Sequence, residues 1–293
     1  MIAKKAKFRL LDALLITLCA GVVIYVGYRI QVRLKYSWNW QVIPRYLLRM
    51  DAQNRRLVAN YLLLGLFTTI KLSIWSTILA MIIGVVMGIF RTSKRLFFRM
   101  IGSAYVELVR NLPALVLVFI FYFFVSDQIM PLLGIDSFIR ARTGSSRQVL
   151  EFLFAPTSLF TQFISGIVTI AVFEGAFITE IVRAGIESVE RGQREAAYAL
   201  GLSWADQMRY VILPQATRRV LPPLANQFVS TVKDSSIVSA ISIQELTFEG
   251  VQLSTSTQLI FEVWITVTAM YLLLTLSLSI AVHRLEKRLQ RSD

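Results

Sequence analysis

Three uninterrupted apolar runs constrain this chain more than any other feature of its sequence. Leu72–Phe90, Phe152–Phe173 and Val263–Val282 contain no charged residue. Each run has about the 20 residues that an α-helix needs to cross the hydrocarbon core of a bilayer. Helices are the expected form of these runs, because backbone polar groups must be satisfied internally in lipid. The sequence therefore predicts an all-α, polytopic transmembrane helical bundle.

Further segments that are less cleanly apolar bring the expected number of spans to about six: Ala13–Tyr28, Asn111–Ser126 and Val220–Gln244. The hydrophobic content of 55% agrees with a membrane protein. The first of these segments also resembles a signal peptide, with a basic start and an apolar stretch. Leu18, two residues before Ala20, fits a small-residue cleavage pattern poorly, so we expect the helix to be retained.

The net charge of +13 is concentrated beside the apolar runs. Basic clusters lie within residues 4–9, 91–99 and 284–291, and such clusters mark the cytoplasmic ends of membrane spans. Six spans put both termini and all three clusters in the cytoplasm. The arginine and lysine residues between positions 29 and 56 oppose this orientation, because they then lie outside. The basic residues form no stripe with interleaved aromatics, so we expect no nucleic-acid partner.

Residues that commonly carry catalysis or bind metals are scarce. The chain has one cysteine, Cys19, one histidine, His283, and no Gly-Lys pair of the kind that a phosphate-binding P-loop requires. We therefore expect no catalytic residue, no metal site and no cofactor in this chain, and we do not expect it to be an enzyme.

The segment 180–213 is too charged to span a membrane but favours helix. After the helix-forming residues 191–200, Gly201 is a suitable helix stop. The pair Ser203 and Asp206 resembles a capping box for a second short helix, which we expect to end before Pro214. This helix–turn–helix is either a docking knob for a partner or a plain amphipathic surface hairpin, and these features favour the two equally.

The same segment carries a spaced motif of Glu-Ala-Ala, three residues, Gly, nine residues, an apolar residue, any residue and Leu-Pro. The motif residues are Glu195, Ala196, Ala197, Gly201, Val211, Leu213 and Pro214. This pattern resembles the signature loop of importer permeases of the ATP-binding-cassette class, with Val211 in place of the usual isoleucine. Further segments look like the polar amino-acid permeases of that class: 105–113, 192–197, 213–216, 221–223 and 233–236. The resemblance covers about residues 60–290.

The resemblance implies a five-helix importer permease core, preceded here by one additional N-terminal helix. Residues 1–58 are then an N-terminal transmembrane helix with an external connecting segment. Residues 59–293 are the permease transmembrane domain, with a cytoplasmic coupling loop at about 183–214. The implied function is that of a permease subunit in a bacterial cytoplasmic (inner) membrane, which translocates amino acids, polar or acidic ones favoured.

The resemblance also implies partners. A periplasmic or extracellular binding protein would deliver the amino acid, and a second permease subunit, identical or paralogous, would complete the path. Two ATPase subunits would use ATP and Mg and push on the coupling loop. The alternative is an ion-coupled secondary amino-acid transporter, which would need no ATPase and would usually show an internal repeat, which we do not find.

Polar residues concentrated in the predicted fifth span form a second candidate site. Such residues cannot face lipid cheaply, so we expect them to line the translocation path or the subunit interface. They are Asn226, Gln227, Ser230, Lys233, Asp234, Ser235 and Ser236. Glu174 follows an uncharged run and is placed either at the membrane edge or facing the path. Gly84 and Gly88 form a Gly-x-x-x-Gly pair, which predicts close helix packing within the chain or with a second subunit.

Overall fold

α-Helices make up most of the structure, a computed structural model that describes residues 10–33, 36–51 and 55–290. The helices are α1 Leu10–Arg33, α2 Ile43–Leu47, α3 Tyr61–Arg91, α4 Leu96–Asn111, α5 Ala114–Phe124, α6 Met130–Leu132, α7 Ile135–Arg140, α8 Gly144–Leu153, α9 Phe160–Glu187, α10 Arg191–Ala199, α11 Trp204–Asp206, α12 Leu213–Asp234, α13 Leu246–Thr257 and α14 Ile260–Gln290. The basic cluster at residues 4–9 and the end of the last basic cluster, Arg291, lie outside the described residues.

Two compact units divide the chain, the first ending at Trp40 and the second beginning at Gln41. The first unit contains α1. The second contains all the other helices, with 3₁₀ turns at Trp40–Val42, Thr157–Leu159 and Ser235–Ile241 and π-helical segments at Val125–Ile129 and Gln207–Ile212.

The expectation of an all-α transmembrane bundle is confirmed. In the part of the chain that the structure describes, four stretches are long and apolar enough to cross a membrane: Leu11–Arg29, Tyr61–Arg91, Thr157–Glu187 and Ile260–Arg284. α4 and α5 together make a fifth candidate, although the pair is bent by 116°. The span predicted at 220–244 is helical in its first part but too polar to meet the same criterion.

The apolar sequence over about residues 101–125 predicts one continuous third helix, but this prediction is wrong, because the chain bends between α4 and α5. Leu112 adopts an extended conformation, with φ −95° and ψ 146°. The cause is Pro113, whose ring disfavours helical geometry in the preceding residue and which has no backbone N–H to donate. α5 then begins directly after the proline.

The adjacent prolines Pro222 and Pro223 predict that the helix of the fifth span starts there, and this prediction is also wrong. α12 begins at Leu213 and continues through both prolines. The preceding turns are anchored by Ala216 and Val220, which are buried one helical turn apart. Val220 packs so closely on Gly185 of α9 that a Cβ added to this glycine would lie 2.0 Å from Val220 Cγ2. Packing against α9 therefore outweighs the tendency of proline to end a helix.

The pairing of α3 with α9 is the most extensive helix contact in the second unit. It is made at the Gly-x-x-x-Gly pair, where a Cβ added to Gly84 would lie 2.4 Å from Ile178 Cγ2. One turn later a Cβ on Gly88 would lie 2.7 Å from Val182 Cγ1. Of the two alternatives left open by the sequence, the structure shows packing within the chain.

A short β-hairpin precedes α3, a feature that the sequence did not predict. Its antiparallel strands are β1 Leu48–Met50 and β2 Leu57–Ala59. Asn60 closes the base of the hairpin, since its backbone N–H donates to Leu47 O at 2.9 Å and its side chain to Arg45 O at 2.7 Å. Ile43 of α2 is buried in the same cluster as Leu62 of α3. The segment before α3 is thus packed on the helical bundle.

Candidate functional site

The predicted turn at Gly201 is formed by a well-defined backbone motif. Gly201 adopts a left-handed conformation with φ +73°. Its N–H donates to Tyr198 O at 2.9 Å, and the N–H of Leu202 donates to Ala197 O at 3.2 Å. This pair of hydrogen bonds is the Schellman motif that commonly ends helices, and it favours glycine at the left-handed position. The end of α10 is therefore fixed rather than frayed.

The chain after the turn begins as predicted but does not stop as predicted. The Ser203 side chain accepts a hydrogen bond from Asp206 N at 3.2 Å, which confirms the helix cap. The expected end before Pro214 is wrong, because α11 continues through the π-helical segment into α12. Pro214 is the second residue of α12 and directly follows the π-helical segment. The second arm of the turn is thus continuous with a long helix.

The motif residues divide into an anchored and an exposed group. We call residues 191–206 the coupling knob. Ala197 is buried, Val211 and Leu213 are half-buried, and the others are exposed: Glu195, Ala196, Gly201 and Pro214. The anchored side packs toward α9, where Ile186, Val189, Met208 and Ile212 share one buried cluster. Arg194 also donates to the carbonyl oxygen of Ile186, near the end of α9.

Large apolar side chains stand out on the surface of the coupling knob, and the sequence reading missed them as a group. Tyr198 is 75% exposed, Leu200 80% and Trp204 44%. They flank the Schellman turn on both sides. Exposed clusters of large apolar residues, and Tyr and Trp in particular, are typical of protein–protein contacts. The sequence signal that could have found them is the occurrence of three such residues within a highly charged segment.

Glu174 and Gln227, two members of the predicted polar group, are brought together in the structure. Glu174 of α9 is fully buried, and Gln227 Nε2 of α12 donates to its Oε2 at 2.6 Å. The carboxyl group of Asp234 is close enough to interact with the carboxyl group of Glu174. Glu174 Oε1 has no hydrogen-bond partner among the described residues. Burying a carboxyl group with one unpartnered oxygen costs free energy, and losing the hydrogen bond to its other oxygen would increase that cost.

The other residues of the predicted group lie elsewhere. Asn226 is exposed and donates to Glu286 Oε1 of α14 at 3.1 Å, while Lys233 is exposed at the end of α12. Ser235 is buried directly after α12 and donates to Val232 O at 2.9 Å. Ser230 and Ser236 are half-buried. The structure therefore gathers part of the predicted group around Glu174 and distributes the rest over other faces.

A large cavity lies toward the N-terminal ends of α3 and α9, and no sequence pattern predicted it. Its volume is about 960 Å³. One wall is a stripe of α3 that includes Leu64, Thr68 and Lys71, which recur at helical spacing. Residues of α13 and α8, with part of the segment 154–163, complete the lining. The lining also includes aromatic side chains and glutamines: Tyr46, Tyr61, Phe67, Phe152, Phe154, Phe163, Phe248, Gln162, Gln244 and Gln252.

Three charged residues line the cavity, and they differ in how well they are paired. Glu151 is engaged, since it accepts from Arg147 Nε at 3.0 Å and from Thr157, and these hydrogen bonds lower its pKa. Lys71 Nζ approaches only the carbonyl oxygen of Glu151, at 3.4 Å, and the Phe152 ring. Burial, with a smaller contribution from the charge of Glu245, raises the pKa of Glu249 on α13 to about 7.

Gln227→Leu tests the buried carboxyl site. The substitution removes the donor at 2.6 Å from Glu174, so we expect a loss of stability of about 1–3 kcal/mol. The measurement is the midpoint of thermal unfolding of the full chain in detergent. Asn226→Leu is the matched control, because Asn226 is itself exposed and the loss of its hydrogen bond to Glu286 should cost less. Equal decreases for the two variants would show that Glu174 does not depend on Gln227.

The sequence of this chain is similar to known transport proteins over most of its length. Residues 80–291 match the family described as binding-protein-dependent transport system inner membrane component. The chain is 35% identical over 228 residues to the probable glutamine ABC transporter permease protein GlnM of Bacillus subtilis (strain 168), which covers 78% of this chain and 93% of the relative. It is 34% identical over 224 residues to the glutamine transport system permease protein GlnP of Escherichia coli (strain K12), covering 75% and 90%.

The fold is also similar to a solved structure. A chain from the crystal structure of an amino acid ABC transporter with histidines aligns with a TM-score of 0.65 and 27% identity. The alignment covers 86% of this chain and all of the other. The family match, the relatives and the fold agree with the motif at residues 195–214. This chain belongs to the family of inner membrane components of binding-protein-dependent transport systems.

Proposed function

We propose that this chain is one permease subunit of an ATP-binding-cassette importer, and that it carries amino acids across a bacterial cytoplasmic membrane. The relatives named for glutamine transport support a polar substrate. The transport domain would be residues 59–293, and residues 1–58 an addition to it. The chain itself would form the path and catalyse no reaction.

The observation that carries this proposal is the coupling knob. A rigid Schellman turn presents exposed Tyr198, Leu200 and Trp204 on a surface that is tied to α9 through the hydrogen bond from Arg194 to Ile186 O. A transporter driven by an ion gradient has no need of such a surface, whereas an importer driven by separate ATPases must transmit force through one. A fixed turn transmits a push better than a flexible linker does.

The positions of the cavity and the coupling knob support the same function. Gln162 and Phe163 near the start of α9 border the cavity, while the coupling knob follows the end of the helix. A helix of 28 residues is about 42 Å long, which exceeds the roughly 30 Å hydrocarbon core of a bilayer. α9 therefore has the length to connect a substrate cavity near one membrane face with a coupling surface at the other.

Partner subunits complete the proposed importer. Two ATPase subunits that use ATP and Mg would bind the coupling knobs, and a second permease, identical or paralogous, would pair with this chain. A binding protein on the outer side would deliver the amino acid. Glu174, Gln227 and Asp234, with the neighbouring polar residues of α12, would line the path or the contact with the second permease.

Gly201→Val tests the coupling function. A β-branched residue tolerates φ +73° poorly, at a cost of about 1–2 kcal/mol, and no atom lies within 4 Å of the added Cβ. The change therefore acts on the backbone of the turn and not through a clash. We expect the variant to reach the membrane but to lose most ATP-dependent L-glutamine uptake, and most ATPase copurification, in proteoliposomes with its partner subunits.

Gly201→Asn is the matched control, because asparagine adopts the left-handed conformation several-fold more readily than other non-glycine residues. It should retain uptake. Wild-type uptake by Gly201→Val would contradict the proposed role of the turn. Uptake by the wild-type chain without any ATPase, driven by a sodium or proton gradient, would instead favour the secondary transporter.

The orientation of the chain gives a further prediction. Residues 91–99, 183–212 and 284–293, with both termini, should be cytoplasmic, and residues 31–58 and 127–151 external. In a Cys19→Ala background, Ala205→Cys should react with an impermeant thiol reagent only in inside-out vesicles. Ser145→Cys should react only in right-side-out cells. Labelling of Ala205→Cys from the outside alone would invert the proposed orientation.

A further inference from the structure

Two opposite charges line the cavity without neutralising each other. Lys71 of α3 and Glu249 of α13 are both half-buried in its walls. Among the described residues, neither forms an ion pair, and no side-chain hydrogen bond is made to the Glu249 carboxylate. Charged groups in partly buried walls usually have partners, because removing them from water is costly. Lys71 can therefore bind one anionic group of a ligand, and Glu249 can bind one cationic group.

The placement of the two charges suits a small zwitterion. Glu249 Cγ would lie 2.9 Å from a Cβ added to Gly65, so the Glu249 side chain rests against α3 at that level. Lys71 follows six residues later on α3 and lines the same cavity. The two side chains do not form an ion pair with each other, so the carboxylate and ammonium groups of one α-amino acid can bind to them separately.

Each charged group is held in place by neighbours. The Lys71 ammonium lies 5.8 Å from the Phe152 ring centroid and 3.4 Å from Glu151 O, contacts that leave donors free. Glu249 is one turn beyond Glu245, which is fully buried and caps α13 by accepting from Phe248 N at 2.8 Å. Tyr271 Oη donates to the other Glu245 oxygen at 2.7 Å, so Glu245 is satisfied and only Glu249 is open to a ligand.

We propose that Lys71 binds the α-carboxylate and Glu249 the α-ammonium group of a translocated amino acid in this cavity. The inference rests on the proposed transport function and assigns residues to substrate recognition. Both open charges are then used by the head group. The third charged lining residue, Glu151, is already paired with Arg147. The glutamines at positions 162, 244 and 252 are left to meet the side chain. A neutral polar side chain of the glutamine type is thus preferred over an acidic one.

Binding of paired ligands to the full chain in lipid nanodiscs, without the binding protein, tests the assignment. The wild type should bind L-glutamine at least about tenfold more tightly than its α-carboxamide, its N-acetyl derivative or L-glutamate. Lys71→Met should abolish the preference for the free carboxylate but keep the preference for the free amine. Glu249→Gln should do the reverse. Lys94→Met, an exposed position outside the cavity, should leave both preferences unchanged.

The outcomes separate this inference from the transport function. Unchanged preferences in Lys71→Met and Glu249→Gln, or no binding of L-glutamine by the wild type, would overturn the assignment, even where ATP-driven uptake is intact. If Lys71→Met binds neither ligand, Lys71→Arg decides: a retained preference for the free carboxylate supports the proposal, and its loss overturns it. Absence of ATP-driven uptake with normal ligand preferences would instead overturn the proposed function alone.

Discussion

Close contact between α3 and α9 is the constraint on which the second unit depends. Gly84 and Gly88 leave room for Ile178 and Val182, and the helix backbones approach where a single added Cβ would overlap. Burial from water does not drive helices together inside a bilayer, because lipid tails are as apolar as leucine. Small residues that allow dense packing take over this role. Gly185 of α9 allows the same close packing against Val220, which holds α12 against α9.

This packing makes α9 the common support of every candidate site. Its beginning borders the cavity, its middle carries Glu174 with Gln227 of α12 as partner, and its end anchors the coupling knob. An ionic cluster fastens it to α3 near the coupling knob, where Glu180 binds Arg91 and Arg183. The cavity and the coupling knob are therefore connected through one helix that is braced along its length.

The sequence predicted what depends on local composition. The long apolar runs predicted the helical bundle, and Gly201 and Ser203 predicted the turn and the cap of the helix after it. Gly84 and Gly88 predicted a close contact between helices. It failed where tertiary packing outweighed local preference, as at Pro222 and Pro223, or where one residue redirected the chain, as at Pro113. The cavity could not be predicted, because Lys71 and Glu249 are 178 positions apart and only the fold brings them together.

Disulfide formation between α3 and α9 tests the central claim most directly. In a Cys19→Ala background, Gly84→Cys and Ile178→Cys would place two Cβ positions 2.6 Å apart in the present geometry, and a shift of about 1 Å gives the distance of a disulfide. Oxidation in native membranes should yield a cross-link within one chain, seen as a reducible shift of the monomer band. Cross-linked dimers with no such monomer species would show that the glycine pair joins two subunits and would contradict the account.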